Sequence, residues 1–342
     1  MKYLLIFVDK SKHLDMSLKN QLRTLLLLAL LVFPFKSYGQ TVKTADLHIR
    51  DPFVVVDQAK GVYYLYRSAT DDVFAPSGDR IGGVEVFTSK DLENWEGPVK
   101  VLTVSEDNWI HGTIWAPEVH KYRNKYYIFA TLNTDIKWKR AEKGRPDYLF
   151  RGTQVFWSKS PMGPFKAFDK VPFTPQDQMC LDGTLWVEDG QPYMVYCHEW
   201  VETVDGEMMV RPLKKDLSAP AGDPMRLFCA SAAPWVTSRD LYVTDGPFLY
   251  KTKNGKLLMI WSSFGEGGYA VGIAESTTGK ITGPWKQHAE PLYSTDGGHG
   301  MIFKSLDGRL FLSLHGPNGG GLERARFIEI EDTGDNLILK NN

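Results

Sequence analysis

The chain has 342 residues, with 40 basic and 41 acidic side chains and a formal net charge of −1. No basic block or stripe stands out, which argues against a nucleic-acid partner. Aromatic residues make up 13% of the chain. That content is compatible with a β-rich fold and with a sugar-binding surface, but it proves neither of them.

The first element in the chain is an apolar run, TLLLLALLVFPF, from Thr24 to Phe35. Basic residues precede it and small residues follow, as in a secretory signal, and it is too short for a comfortable transmembrane helix. We therefore predict a signal peptide over residues 1–39, with an uncleaved membrane anchor as the alternative. Met16 begins a more ordinary signal, which would make residues 1–15 a misassigned start. The protein is predicted to be secreted or periplasmic, touching a membrane only through this segment.

After residue 40 there is no long helical period, and short strand-like runs alternate with turn residues. One run recurs five times, each time just after a turn-like pair such as Lys60-Gly61 or Asp307-Gly308. Each copy is therefore predicted as the second strand of a hairpin. The five copies are YYLY at 63–66, YYIF at 126–129, YMVY at 193–196, LMIW at 258–261 and LFLS at 310–313.

The strand before each of these turns also recurs, and its first part carries a polar residue every 54 to 67 positions. A repeat of that length with three or four short strands is typical of a propeller blade. We predict an all-β fold, a single five-bladed β-propeller over residues 40–342, closed by a strand near Thr41–His48. A β-sandwich is the alternative, but it would not explain five similar hairpins. The recurring polar residues are Asp51, Glu118, Asp182, Asp245 and His299.

These five side chains are predicted to converge, because the inner strand of each blade lines the central channel. Converging acids repel one another and cost stability, so their presence indicates function, although Asp-Gly and Asp-Pro also occur in plain turns. Glycoside hydrolysis needs one carboxylic acid to protonate the leaving oxygen and one carboxylate to activate water. A neighbouring negative charge raises the pKa of the acid. A separation of roughly 6.5–9.5 Å leaves room for water and inverts the anomeric carbon.

Four motifs, in this order and spacing, resemble glycoside hydrolase family 43. The resemblance implies a five-bladed propeller and an inverting glycosidase, acting on arabinose-, xylose- or galactose-containing plant polysaccharides or their fragments. It covers all of the chain after the signal. The motifs are Arg50-Asp51-Pro52-Phe53, Trp115-Ala116-Pro117-Glu118-Val119, Leu181-Asp182-Gly183-Thr184-Leu185-Trp186 and Gly298-His299-Gly300.

The resemblance also implies roles for individual residues. Asp51 would be the general base, and Asp182 would raise the pKa of the acid and orient it. Trp115 and Glu118 would shape the pocket. His299 would help hold a structural cation, often Ca²⁺, in the channel, although a hydrogen-bonded core histidine is the alternative and hard cations prefer oxygen ligands. No cofactor is required for the chemistry.

The fourth blade departs from the family pattern. Where the family usually has Glu-Gly-Pro with Glu as the general acid, this chain has Asp245-Gly246-Pro247. Asp is shorter by one methylene, about 1.5 Å of reach, which matters for a group that must meet its target at hydrogen-bond distance. Asp245 is still our first candidate for the acid, with Glu199 as the alternative acid or a sugar ligand. Glu266 is a further candidate substrate-binding residue.

Two other functions stay open. A non-catalytic carbohydrate-binding propeller would explain the departure at Asp245. A fructan-cleaving propeller glycosidase would share the Arg-Asp-Pro motif but carry it in a later blade, after an Asn-Asp-Pro motif. The segments 134–151 and 200–207 are the predicted walls of the channel mouth, and the sequence carries no signal for oligomeric state.

The three cysteines, Cys180, Cys197 and Cys229, are an odd number, so a complete disulfide framework is excluded. Buried free thiols are the simpler interpretation. A bond between Cys180 and Cys197 is the alternative, if their segments lie side by side.

Overall fold

The structure is a computed structural model. The predicted signal peptide lies outside its described residues, and within them no helix has the length and apolar character needed to cross a membrane. The described residues are 41–69, 73–74, 80–110, 112–139, 146–237 and 242–340.

Each predicted blade is a separate antiparallel sheet, and the five sheets follow one another along the chain, as predicted for a five-bladed propeller. The first sheet contains β1 (Thr41–Lys43), β2 (Phe53–Asp57), β3 (Val62–Ser68), β6 (Gly83–Ser89) and β7 (Asn94–Thr103). Between β3 and β6 in the sequence, β4 (Val73–Phe74) and β5 (Arg80–Ile81) form a separate two-stranded sheet. The second contains β8 (Thr113–Tyr122), β9 (Lys125–Lys139), β10 (Tyr148–Ser158) and β11 (Lys166–Ala167).

The last three blades repeat this order. The third blade contains β12 (Cys180–Glu188), β13 (Gln191–His198), β14 (Glu207–Pro212) and β15 (Met225–Cys229), with the short helix α1 (Trp200–Thr203) after β13. The fourth contains β16 (Asp245–Lys251), β17 (Leu257–Gly265), β18 (Gly268–Ser276) and β19 (Trp285–Gln287). The fifth contains β20 (Gly298–Lys304), β21 (Leu310–Gly316), β22 (Arg324–Asp332) and β23 (Leu337–Leu339), and 3-10 turns occupy Thr44–Asp46 and Ala230–Ala232.

The hydrophobic core lies in the layers between adjacent blades, where the recurring second strands are packed. These strands are nearly all buried, and the aromatic residues Tyr66 and Trp261 have no exposed surface. Burying one such large side chain contributes about 1.5–3 kcal/mol. The packing is tight: a Cβ on Gly272 would lie 2.1 Å from Trp235, so only glycine fits that position in β18.

The ring is closed at the junction between the first and last blades. The predicted closing segment does form a strand, but β1 pairs with β7 at the edge of the first blade and does not complete the fifth. The fifth blade is contacted by His48, the last residue of the predicted segment, and by Ile49 after it. His48 forms a bridge with Arg324, and the Ile49 N–H donates to the Glu323 carbonyl over 3.3 Å.

All three cysteines are free, which settles the alternative left open by the sequence. Cys180 and Cys197 lie on the paired strands β12 and β13, but neither is opposite the other, since Cys180 pairs with His198. Both thiols are buried, and burial raises the pKa of each well above its ordinary value. They are packing residues of the core.

Candidate active site

The same backbone turn opens the inner strand of every blade. In each turn one residue has a left-handed conformation, which lets the chain bend and aim that residue at the axis. In blades two to five a shift in strand register accompanies the turn. The left-handed residues are Asp51 (φ 52°), Ala116 (φ 43°), Asp182 (φ 56°), Gly246 (φ 46°) and His299 (φ 53°).

This turn corrects two of the five predicted equivalences. Asp51, Asp182 and His299 do occupy the same place in their blades. Glu118 lies two residues beyond the turn position, and Asp245 lies one residue before it. A physical reason exists in the fourth blade: a Cβ on Gly246 would lie 2.8 Å from the His299 ring. No side chain fits there, so the carboxyl group comes from the preceding residue.

Asp51 lies among three basic side chains, and its backbone N–H donates to Nδ1 of His315 over 3.3 Å. Its Oδ1 lies 3.3 Å from Nδ1 of His299 and 3.1 Å from Nδ1 of His315, and Arg50 Nε is 3.9 Å away. Burial alone would raise the pKa of Asp51, but these three neighbours hold it well below the ordinary value for aspartate. Asp51 is therefore an ionised carboxylate able to take a proton from water.

The carboxyl groups of Asp182 and Asp245 lie next to each other, close enough to share a hydrogen bond when one of them is protonated. Burial first, and the charge of a neighbouring carboxylate second, raise the pKa of Asp182 to about 7 and that of Asp245 to about 8. A hydrogen bond between the two carboxyl groups lowers the pKa of Asp182 and raises that of Asp245, so the pKa of Asp245 is the higher of the two. The Gly246 N–H donates to Asp182 Oδ2 over 3.0 Å, and the Tyr269 hydroxyl donates to Asp245 Oδ2 over 2.9 Å.

Glu199 lies at the start of helix α1 and forms a buried ion pair with Arg151. Arg151 Nε also donates to Asn133 Oδ1 over 2.7 Å. Burial raises the pKa of Glu199, and the guanidinium opposes that rise. Arg151 lies over the indole of Trp115, with Cζ 4.3 Å from the ring centroid, while Trp115 keeps 40% of its surface exposed. Glu199 is thus held as a partner of Arg151, beside an exposed aromatic ring.

A histidine holds the segment that carries Glu199. His198 Nε2 lies 3.0 Å from Glu202 Oε2, and its Nδ1 lies 3.0 Å from Glu207 Oε2. Glu202 Oε2 also accepts the Met179 N–H over 2.8 Å. Burial would lower the pKa of His198, but the two glutamates raise it above the ordinary value. The predicted wall at 200–207 therefore begins with the short helix α1 and is held in place by charged side chains.

One cleft of about 710 Å³ brings most of these groups together. That volume is within the range of about 300–1,000 Å³ usual for small-ligand sites. Glu118 does not line it: it is buried deeper and contacts His120 Nε2 at 2.8 Å. Glu266 lies in a separate cavity beside Trp235 and Glu290. The predicted residues that do line the cleft are Asp51, Trp115, Asp182, Glu199, Asp245 and His299.

Sequence reasoning missed three residues that contact the central carboxylates or Glu199. Tyr269 precedes an apolar run in β18 and His315 follows one in β21, so both have the sequence context of core residues. Arg151 ends the segment 134–151, which was predicted as a wall of the channel mouth and is mostly strand in its described part. The sequence near each residue does not indicate its role, since the partners Asp245, Asp51 and Glu199 come from other parts of the chain.

The cation implied by the family resemblance can be tested against His299. Its Nε2 is buried and has no hydrogen-bond partner, so one imidazole nitrogen is free to bind. Among the described residues there is no group of three or more His, Cys, Asp or Glu side chains arranged to hold a metal. The residues fit only an ion that takes most of its ligands from water.

Comparison with known proteins agrees with this geometry. The sequence model described as "Glycosyl hydrolases family 43" matches residues 44–332. No curated protein sequence matches the chain. Among solved structures, an endo-arabinase from Bacteroides thetaiotaomicron is 38% identical with a TM-score of 0.74, covering 88% of this chain and 100% of its own.

Two further solved structures are similar. A thermostable family-43 glycoside hydrolase is 25% identical with a TM-score of 0.70, covering 91% of this chain and 96% of its own. An endo-1,4-β-xylanase from Bacteroides thetaiotaomicron is 22% identical with a TM-score of 0.66, covering 89% of this chain and 97% of its own, a likeness of fold alone.

Proposed function

Since this chain belongs to glycosyl hydrolases family 43 and is a glycosidase, we propose that it is a secreted enzyme that cleaves arabinose-containing plant polysaccharides with inversion at the anomeric carbon. The arabinose preference is supported by the similarity to the endo-arabinase from Bacteroides thetaiotaomicron, which is covered over its entire length by this chain. Xylose- and galactose-containing polysaccharides are the other substrates of the class to be compared.

The observation that carries the mechanism is the contrast between Asp51 and Asp245 in one cleft. His299, His315 and Arg50 lower the pKa of Asp51 against the effect of burial, and burial beside Asp182 raises the pKa of Asp245 to about 8. Opposite protonation states of two carboxyl groups are what an inverting hydrolase needs. Asp51 takes a proton from a water molecule as that water attacks the anomeric carbon. Asp245 gives its proton to the leaving oxygen, and Asp182 orients Asp245.

Substrate binding is assigned to the side of the cleft formed by the second and third blades. The exposed indole of Trp115 offers an apolar face for a sugar ring. The Arg151 guanidinium behind it and the Glu199 carboxylate beside it leave polar atoms for sugar hydroxyl groups. We propose that Glu199 is a sugar ligand, because its carboxylate is already the partner of a guanidinium that cannot lose its proton.

A cation in the channel would be held by His299 through Nε2, with water completing its coordination. It would supply positive charge close to the carboxylates. The proton transfers proposed here are carried out by Asp51 and Asp245 themselves.

The test compares the wild-type enzyme with Asp51→Asn on linear arabinan, xylan and galactan, measuring reducing ends. We expect the wild type to be most active on arabinan and the variant to lose about 10²–10⁴-fold of that activity. Proton NMR of the first product should show the inverted anomer. Equal rates for both proteins on every polysaccharide and on aryl pentosides would mean that the propeller binds carbohydrate without cleaving it.

A further inference from the structure

Two aromatic rings lie side by side between the base and the acid. The rings of Tyr269 and His315 stack with their centroids 5.6 Å apart and their planes 19° apart. The Tyr269 hydroxyl donates to Asp245 Oδ2 over 2.9 Å, and His315 Nδ1 lies 3.1 Å from Asp51 Oδ1. Both rings are buried, with 1% and 0% of their surface exposed. Movement of one ring is therefore passed to the other, and to both carboxyl groups.

A second set of contacts joins Tyr269 and His315 through Asp296 and Asn318. His315 Nε2 lies 3.1 Å from Asn318 Oδ1, and the Asn318 N–H donates to Asp296 Oδ2 over 3.2 Å. The other oxygen of Asp296 accepts the Tyr269 N–H over 3.3 Å. The stacked rings and these hydrogen bonds form a closed loop, so neither ring can shift without breaking a contact.

Two glycines make room for this loop. A Cβ on Gly298 would lie 2.4 Å from Cε1 of Tyr269, closer than real Cβ contacts allow. A Cβ on Gly268 would lie 2.9 Å from Asp296 Oδ1. The absence of side chains at these positions lets Tyr269 reach the axis and lets Asp296 reach the Tyr269 backbone.

We propose that Tyr269 and His315 are positioning residues that together set the separation between Asp245 and Asp51. Inversion requires a spacing of roughly 6.5–9.5 Å, which leaves room for the attacking water. A misplacement of about 1 Å costs on the order of 10²-fold in rate. This assignment rests on the proposed function, in which Asp51 is the base and Asp245 the acid.

The first test is Tyr269→Phe, which removes one hydroxyl and keeps the ring. We expect kcat on arabinan to fall about 10–100-fold with KM within about twofold. The alkaline limb of the kcat/KM profile should also move to higher pH. The phenol hydroxyl donates to the ionised form of Asp245, so without it the pKa of Asp245 rises and the proton is kept longer. A purely structural role would not move that limb.

The matched control is Tyr250→Phe. Tyr250 donates to Asp332 Oδ2 over the same 2.9 Å, outside the cleft, so its loss should leave kcat and the alkaline limb unchanged. Gly298→Ala tests the ring position from the other side and should reproduce the loss seen in Tyr269→Phe. The double variant should be no slower than the slower single variant. Losses that multiply in the double variant, or an unmoved limb in a folded Tyr269→Phe protein, would overturn the proposal.

A second readout does not depend on turnover. With aspartate labelled by ¹³C at the carboxyl carbon, NMR follows the titration of Asp245, assigned by comparison with Asp245→Asn. We expect a higher midpoint in Tyr269→Phe than in the wild type and in Tyr250→Phe; an equal midpoint overturns the proposal. If the wild type cleaves no glycoside and the midpoint still moves, the proposed function fails while the link from Tyr269 to Asp245 stands.

Discussion

The carboxyl groups of Asp182 and Asp245 lie next to each other where the third and fourth blades meet, close enough to share a hydrogen bond when one of them is protonated. The inner strands β12 and β16 bring them together, and Gly246 donates its backbone N–H to Asp182 to fix the contact. Because the pKa of each of these buried acids is raised beside an ionised Asp51, the activity and the stability of the enzyme should both change with pH.

The first prediction concerns the rate of the wild-type enzyme. Activity requires Asp51 ionised and Asp245 protonated. The pKa of Asp51 is held below its ordinary value, and that of Asp245 is raised to about 8. We expect kcat/KM on arabinan to be flat through the mildly acidic range and to fall above pH 8, by about tenfold per pH unit. A profile that falls on the alkaline side below pH 6 would contradict the assignment of the acid.

The second prediction concerns stability. A carboxyl group whose pKa is higher in the folded than in the unfolded protein stabilises the fold at low pH, and that contribution is lost as pH rises through the folded value. Above the folded pKa, the wild type must keep an ionised carboxylate buried, and Asp245→Asn removes that cost because the amide carries no charge. The variant should melt at least about 2 °C above the wild type at pH 9, with no gain at pH 4. Asp189→Asn, on an exposed turn, is the control and should show no gain at either pH.

The third prediction separates Asp245 from Glu199 as the acid. A leaving group that is stable as an anion needs little protonation by the enzyme. Loss of the general acid therefore lowers the rate less on a substrate that carries such a group. Asp245→Asn should lose about 10²–10⁴-fold on arabinan but less than about tenfold on a dinitrophenyl arabinofuranoside. Glu199→Gln should raise KM for both substrates alike. If Glu199→Gln shows the leaving-group dependence instead, Glu199 is the acid.

The fourth prediction concerns His198, which contacts Glu202 and Glu207. Removing a buried hydrogen-bonded charge costs about 1–3 kcal/mol, so His198→Gln should lower the free energy of unfolding by that amount at pH 6. The raised pKa of His198 means that this contribution is complete below its ordinary value of 6.5 and is lost as pH rises through the folded value. The difference from the wild type should therefore shrink at alkaline pH.

His198→Gln should also raise KM, because the segment it holds carries Glu199 and Trp200 into the cleft. His288→Gln is the matched control. His288 lies 3.8 Å from a single glutamate, Glu275, and outside that cleft, so KM should not change. Urea unfolding at several pH values and steady-state kinetics measure both parts; an unchanged KM in His198→Gln would show that the segment does not depend on His198.

The fold could be predicted because its repeat is local. Each blade has a hairpin with a recurring second strand, and the spacing of the copies can be counted along the sequence. The places of Asp51, Asp182 and His299 followed from the same repeat. Glu118 and Asp245 were placed out of register because the blades were aligned on their acidic residues, whereas the left-handed residue in these two motifs is the one before the proline.

The remaining errors concern contacts between residues that are far apart in the sequence. The crowding that keeps Gly246 free of a side chain comes from His299, in the next blade. Tyr269 and His315 have the sequence context of core residues, and their contacts with Asp245 and Asp51 depend on how the blades pack. Glu266 was chosen for following the second strand of its blade, yet that strand ends beside a different cavity.

The junction between the first and last blades also forms one side of the cleft. His48, Ile49 and Arg50 line it from the first blade, and Glu323 lines it from the fifth. These residues are joined across the junction by non-covalent contacts, such as the 3.0 Å ion pair from Arg50 to Glu323. Catalytic competence is therefore a reporter of ring closure: in rising denaturant, separation of these two blades would abolish turnover while the individual sheets still give their circular dichroism signal.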